Sequence, residues 1–208
     1  NQPATARPAP LRARYRGIGF FVGLFLLFDG MLLLTPLAGL PAWPEEAAAV
    51  PAFLIPALLL ITVGGALAVA NRRSAELSLT LQEGGVVVLV SWTATCLMSA
   101  WPLMAVLDLD FTCAVFEAVS GWTTTGLSVI DVTRAPHIVL LWRSIMQFCG
   151  GAGLAIIMLA ALAGPAGPGL SLAEGRSDQL VPQVRQSAKL VMMIYSGYAV
   201  FGILGYRL

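Results

Sequence analysis

The sequence predicts an all-α polytopic membrane protein, and three observations carry that prediction. Of its 208 residues, 58% are hydrophobic and only 11% charged, with a mean hydropathy of +0.82; a soluble domain carries about a quarter charged residues. Apolar runs of roughly 20 residues, enough to cross a bilayer core, recur along the chain. Between two of them lies an apolar piece of half that length, followed by "TTTG".

The elements follow in order. Residues 1–16, "NQPATARPAPLRARYR", are rich in Pro and Arg and read as a tail that does not fold alone. Gly17–Leu37 is longer than the apolar stretch of a cleaved leader, about 7–15 residues, so it reads as a first spanning helix. Further spans are expected at Ala48–Ala70, Gly84–Val106, Pro136–Ala163 and Ala188–Tyr206. Phe111–Ser120 reaches only about 15 Å as a helix, half a bilayer core. It must enter and leave on one side. The chain starts at Asn1 and ends within an apolar run, which reads as a piece of a longer protein.

Charge sets the orientation. With the N-terminus inside, the inner segments hold Arg7, Arg12, Arg14, Arg16, Arg72, Arg73, Arg176, Arg185 and Lys189, whereas the outer loops 38–47 and 107–135 hold Arg134 alone. Positive charge retained on the cytoplasmic side predicts this arrangement, and the half-length piece then dips in from outside.

Several function classes fall away. A formal net charge of +1 and the lack of a basic, aromatic-rich surface give nucleic acid no footprint. Cys96, Cys113 and Cys149 are scattered in apolar sequence and His137 is the only histidine, so no metal cluster or disulfide framework is expected. Paired carboxylates and nucleophile–base pairs are missing too. No catalytic residue is assigned, and the chain reads as a non-enzyme.

The chemistry lies in the threonines. Asp110 is a natural N-cap for the half-helix, whose C-terminal partial negative charge near Ser120 and Gly121 favours a cation at membrane depth. Irregular backbone there must line a cavity or be buried in protein. Thr123, Thr124 and Thr125 are β-branched and stiff, and are expected to hold the backbone extended. Gly126 is free to take a positive φ. Backbone carbonyls presented in a row replace the hydration shell of potassium in a filter. Arg143 and Gln147 share a face one turn apart, and Glu117 is the natural partner for Arg143. Asp29 is expected to hydrogen-bond a neighbouring helix, the line Ser91, Thr95, Ser99 to pack closely, and Cys149, Gly150, Gly151, Gly153 and Ala155 to form a small-residue face.

The order of these pieces resembles the TrkH/KtrB/HKT potassium-transporter superfamily, and TrkH members within it. The matching positions are Phe116, Glu117, Ser120, Gly121, Thr123 to Gly126, Pro136, His137, Trp142, Arg143, Gln147, Gly150, Gly151 and Gly153. The resemblance implies two leading helices, one membrane–pore–membrane repeat with a re-entrant pore helix, and the first helix of a second repeat. On that division residues 1–16 are a cytoplasmic tail, 17–81 the two-helix leading domain, 82–163 the first repeat with its filter, 164–187 a cytoplasmic loop and 188–208 the start of repeat two. It implies a potassium filter at Thr123, Thr124, Thr125, Gly126 and Leu127, with the carbonyls of Thr124 and Thr125 as K+ ligands and Asp110, Glu117, Arg143 and Gln147 supporting the pore helix. It further implies potassium uptake across the bacterial inner membrane with K+ as cargo and no bound cofactor, a homodimer, and a cytosolic nucleotide-binding regulator of the TrkA type. A sodium or mixed Na+/K+ transporter is the alternative; in HKT relatives serine at the filter glycine goes with sodium, so Gly126 favours potassium. A non-transport membrane protein with a re-entrant loop is a further alternative.

Orientation is directly testable. With single cysteines at Ala47 or Ser177 in an otherwise cysteine-free protein, a membrane-impermeant thiol reagent on intact cells is expected to label 47 and spare 177. The reverse pattern sinks the assignment.

Overall fold

The computed structural model describes residues 11–74, 79–163 and 180–205. Residues 1–10 of the expected tail, 75–78 of the first expected inner loop (with Glu76), 164–179 of the second (with Arg176 and Ser177) and 206–208 lie outside the described residues. Among those described there are six α-helices and no strand: α1 Leu11–Leu34, α2 Val50–Asn71, α3 Leu81–Leu107, α4 Phe111–Trp122, α5 His137–Ala163 and α6 Leu180–Gly205. Three stretches, Leu11–Gly39, Pro44–Ser74 and Gln82–Leu107, are long and apolar enough to cross a membrane. α5 has 27 residues, about 40 Å of helix. α4, with 12 residues, reaches about 18 Å and falls short of a span. The all-helical membrane fold is as the hydropathy predicts.

Helix boundaries depart from hydropathy wherever local chemistry outweighs it. α1 starts at Leu11 rather than Gly17. Arginine is a good helix former, and Arg14 is anchored by a 2.6 Å bond from its Nε to Glu83. α1 gives way to a 3-10 turn, Thr35–Gly39, with proline in its first turn, because Pro36 cannot donate the bond that α-helix requires. α3 begins three residues before Gly84 on a capping box: Glu83 N–H donates to Thr80 Oγ1, and Thr80 N–H to Glu83. α6 starts at Leu180, so Pro182 falls in its first turn, where a missing N–H costs little.

The chain divides into two compact units, Asn1–Val119 with Leu127–Arg143, and Ser120–Gly126 with Ser144–Leu208. In the first, α1, α2, α3 and the opening of α5 share a core that includes Leu33, Phe53, Leu103, Ile138 and Trp142, all nearly or fully buried. Trp142 meets Phe53 edge-on at 6.3 Å and donates its indole N–H to the Ser99 carbonyl. Since lipid tails are as apolar as these side chains, what holds such helices together is close approach and polar bonds. Both are present. Thr95 donates to the buried Asp29, joining α3 to α1, and Ser91, Thr95 and Ser99 form a buried line on α3. The Ser91 hydroxyl has no partner among the described residues.

Within the first unit, α1 and α2 approach each other closely. A Cβ on Gly64 would stand 2.7 Å from both the Gly23 carbonyl and the Leu27 nitrogen, and one on Gly23 would meet Gly64 O at 2.7 Å. Backbone cannot yield there. Gly64→Val is therefore expected to destabilise by about 1–3 kcal/mol or more, as overpacking does, seen as a lower melting temperature in detergent. Gly65→Ala is the control, because a Cβ there would meet only the end of Leu27 at 3.8 Å. Equal melting of both variants would mean that the two helices do not approach this closely.

Candidate functional site

Asp108, in the left-handed region at φ 54, ends α3; a short aspartate side chain tolerates that conformation. Two residues later Asp110 opens α4, accepting from the amides of Thr112 and Cys113 at 3.0 and 3.1 Å. The Cys113 thiol, with those amides, holds the Asp110 carboxyl below the usual carboxylate range. A charged carboxylate thus sits at the positive end of the helix.

One turn short of the end of α4 lies Glu117, 0% exposed. A buried carboxylate is costly unless paired and hydrogen-bonded, and this one takes four bonds. Its Oε1 accepts from the Ser128 hydroxyl at 2.6 Å, from the Val129 amide and from the Ile130 amide at 3.2 Å. Its Oε2 accepts from Arg143 Nε at 3.1 Å. Arg143 is itself mostly buried, so the pair is desolvated on both sides. Glu117 therefore joins α4, residues 128–130 and the first two turns of α5.

The second unit holds the turn. α4 runs to Trp122, two residues past the sequence expectation. Thr125 N–H donates to the Ser120 carbonyl at 3.0 Å and Thr124 N–H to Gly121 at 3.1 Å. Thr124 takes φ 55. This bond pair around a left-handed residue is a Schellman C-cap, with threonine where glycine is usual. The expected extended run of threonines is thus corrected: helix capping bends Thr124 into the left-handed region, at a cost of roughly 1–2 kcal/mol for a residue with a Cβ. The hydroxyls of Thr123 and Thr125 bond each other at 2.8 Å.

Gly126 has φ +80 as expected, and a Cβ there would meet nothing within 4 Å. Its requirement is conformational. Thr123 through Ser128 are exposed, and the carbonyls of Thr124, Thr125 and Gly126 accept no hydrogen bond among the described residues.

Gly150 and Gly151 back this turn. A Cβ on Gly150 would stand 2.0 Å from the Trp122 carbonyl oxygen, and one on Gly151 would touch Thr124 Cγ2 at 3.3 Å and the Tyr195 ring at 3.2 Å. Gly153, expected on the same face, has nothing within 4 Å, and the side chain of Ala155 lies outside the described residues. Gln147 is exposed and its side chain makes no hydrogen bond among the described residues.

One cluster has no sequence signature. Glu46 accepts from the amides of His137 and Ile138, both at 2.8 Å, and from His137 Nδ1 at 3.0 Å. It caps α5 from 91 residues upstream, while Trp43 stacks on the His137 ring at 5.0 Å. Only the acid at Glu46 and the proline before His137 hint at it.

With this geometry established, comparison with known proteins is informative. The TrkH family profile, described as a cation transport protein, matches residues 49–207. The chain is 31% identical over 199 residues to the Trk system potassium uptake protein TrkG of Escherichia coli, covering 91% of the chain and 40% of that relative. It is 31% identical over 156 residues to the uncharacterized cation transporter MJ1485 of Methanocaldococcus jannaschii, covering 73% and 32%. The crystal structure of the potassium transporter TrkH from Vibrio parahaemolyticus superposes with a TM-score of 0.69 at 27% identity, over 87% of this chain and 36% of that one. The chain thus spans less than half the length of the relatives it matches.

Glu117 and Arg143 are expected to be coupled. Removing one partner of a buried pair costs about 3–5 kcal/mol, because the other charge is stranded. In a double-mutant cycle on stability, Glu117→Gln and Arg143→Gln should each be severe and the double variant no worse than the worse single. Additive losses would mean that the pair does not interact.

Proposed function

This chain belongs to the TrkH family of cation transport proteins, and from that premise we propose that it supplies the first of four filter segments in a potassium uptake pore of the bacterial inner membrane. The observation carrying this reading is that Thr124, Thr125 and Gly126 are exposed and their carbonyls have no partners among the described residues, on a chain turned by two positive-φ residues. A cation leaving water needs such oxygens in place of its hydration shell.

In this reading Thr123 to Leu127 form the filter strand, and Thr124 and Thr125 contribute carbonyl ligands to K+. Glu117 and Arg143 hold the strand's return, Asp110 fixes the outer end of the pore helix, and Gln147 lies on α5 below Arg143. Residues 17–81 form the leading pair of helices, 82–163 the first repeat and 188–208 the opening of the second. The N-terminus and the segments 71–83 and 164–187 face the cytoplasm. The complete protein pairs as a homodimer and is regulated by a TrkA-type nucleotide-binding subunit; the relatives' own name, a Trk system potassium uptake protein, supports a multi-component assembly.

Gly126→Ser tests the reading. Because no atom lies within 4 Å of a Cβ at this position, serine fits sterically and acts through its aversion to positive φ and through its hydroxyl. The expected outcome in the complete protein is normal expression with weaker preference for potassium over sodium. Tenfold discrimination is only about 1.4 kcal/mol, so one displaced carbonyl suffices. Rubidium and sodium uptake, or reversal potentials, measure it; unchanged selectivity at normal expression means the turn is structural.

A further inference from the structure

At the end of the first unit where α1 begins and α2 stops, a cavity of about 240 Å³ is lined by Arg16, Asn71, Arg72, Arg73 and Ser74, among others. We infer that it is a binding site for the phosphate of an anionic phospholipid headgroup.

The arginines at this end are not equivalent. Arg14 is committed to Glu83 at 2.6 Å. Arg16, two residues on, and Arg72 and Arg73, in the 3-10 turn closing α2, meet no carboxylate among the described residues. Three arginines, one of them more than fifty residues from the other two in the chain, therefore line one cavity with no carboxylate paired to them among the described residues. Ser74, 6% exposed, also lines the cavity and adds a hydroxyl. Asn71 is structural here, its amide donating to Leu67 O at 2.8 Å and packed where Gly19 leaves room.

A charge bias that merely sets orientation needs only a count of basic residues. Three arginines and a serine lining one cavity are something more. Guanidinium forks suit phosphate oxygens in bidentate geometry, and three of them outweigh the mildly unfavourable carbonyl end of α2. A lipid is favoured over a soluble phosphate by depth. Arg16 immediately precedes the apolar run of α1 and Arg72 follows that of α2, so the cavity lies at the level of the headgroups. Val69, which also lines it, is 66% exposed, an apolar flank for the lipid's glycerol and upper chain. Basic pockets between membrane helices hold anionic headgroups on this principle. The inference rests on the proposed orientation only for which leaflet supplies the lipid.

The test is native mass spectrometry and nanodisc titration of the complete protein with phosphatidylglycerol or phosphatidylcholine, in symmetric discs so that orientation plays no part. Retention of phosphatidylglycerol over phosphatidylcholine is expected. Removing each of Arg16, Arg72 and Arg73 as glutamine should weaken it about fivefold, and removing all three on the order of a hundredfold; Arg12→Gln, outside the cavity, should leave it intact. The single variants keep the test valid should the triple variant fold poorly. Retention unchanged in the single variants, or equal for the two lipids, overturns the site. Inorganic phosphate binding at these arginines as tightly as the lipid overturns the lipid assignment. Loss of potassium uptake with lipid retention intact would count against the proposed transport function alone.

Discussion

The buried carboxylate of Glu117 is the interaction on which the loop region depends. It closes a loop of chain from position 117 to the amide of Val129, twelve residues on. Closing such a loop costs entropy that grows only slowly with length, but ordering each residue within it costs about 1–2 kcal/mol of backbone freedom. Four hydrogen bonds, one of them to a buried arginine, are set against that cost. A neutral side chain of the same shape would lose the charge-assisted bonds, which are roughly twice as strong as neutral ones. The charge is useful because Arg143 compensates it; without Arg143 it would be a liability.

Thr124 shows a second constraint, one that competes with side-chain preference. Stiff β-branched residues favour extended backbone, yet the last carbonyls of α4 need donors. The amides of Thr124 and Thr125 supply them only if the chain reverses through a left-handed residue. Capping prevails over propensity here. Strain of this kind persists where the surroundings over-determine the backbone, and Gly150, packed on the Trp122 carbonyl, with Gly151 on the Thr124 methyl, provides that determination.

Much of this was legible in the sequence, and the remainder was not for definable reasons. The six helices, the half-length of α4, the cap at Asp110, the pairing of Glu117 with Arg143 and the positive φ of Gly126 follow from hydropathy, spacing and the cost of an uncompensated charge. Legibility fails where backbone is the partner. Nothing in "LSVI" announces that two amides and a hydroxyl will converge on Glu117. Nothing in "WPEE" says that one glutamate will cap a helix 91 residues away. Helix ends depart from the hydropathy pattern by a few residues because arginines and a capping box extend α1 and α3 into polar sequence.

The glycines separate two kinds of requirement that a motif merges. At Gly150 a methyl group would collide with backbone, yet the residue sits in ordinary helix; at Gly126 a methyl group would meet open space, yet φ is +80. Alanine at Gly150 must push α5 away from the end of α4 and so disturbs packing first. An L-residue at Gly126 acts through its aversion to that φ, and so on the directions of the carbonyls on either side of it. At Gly126 space is free and conformation alone demands glycine, and it immediately follows two residues whose carbonyls also lack partners among the described residues.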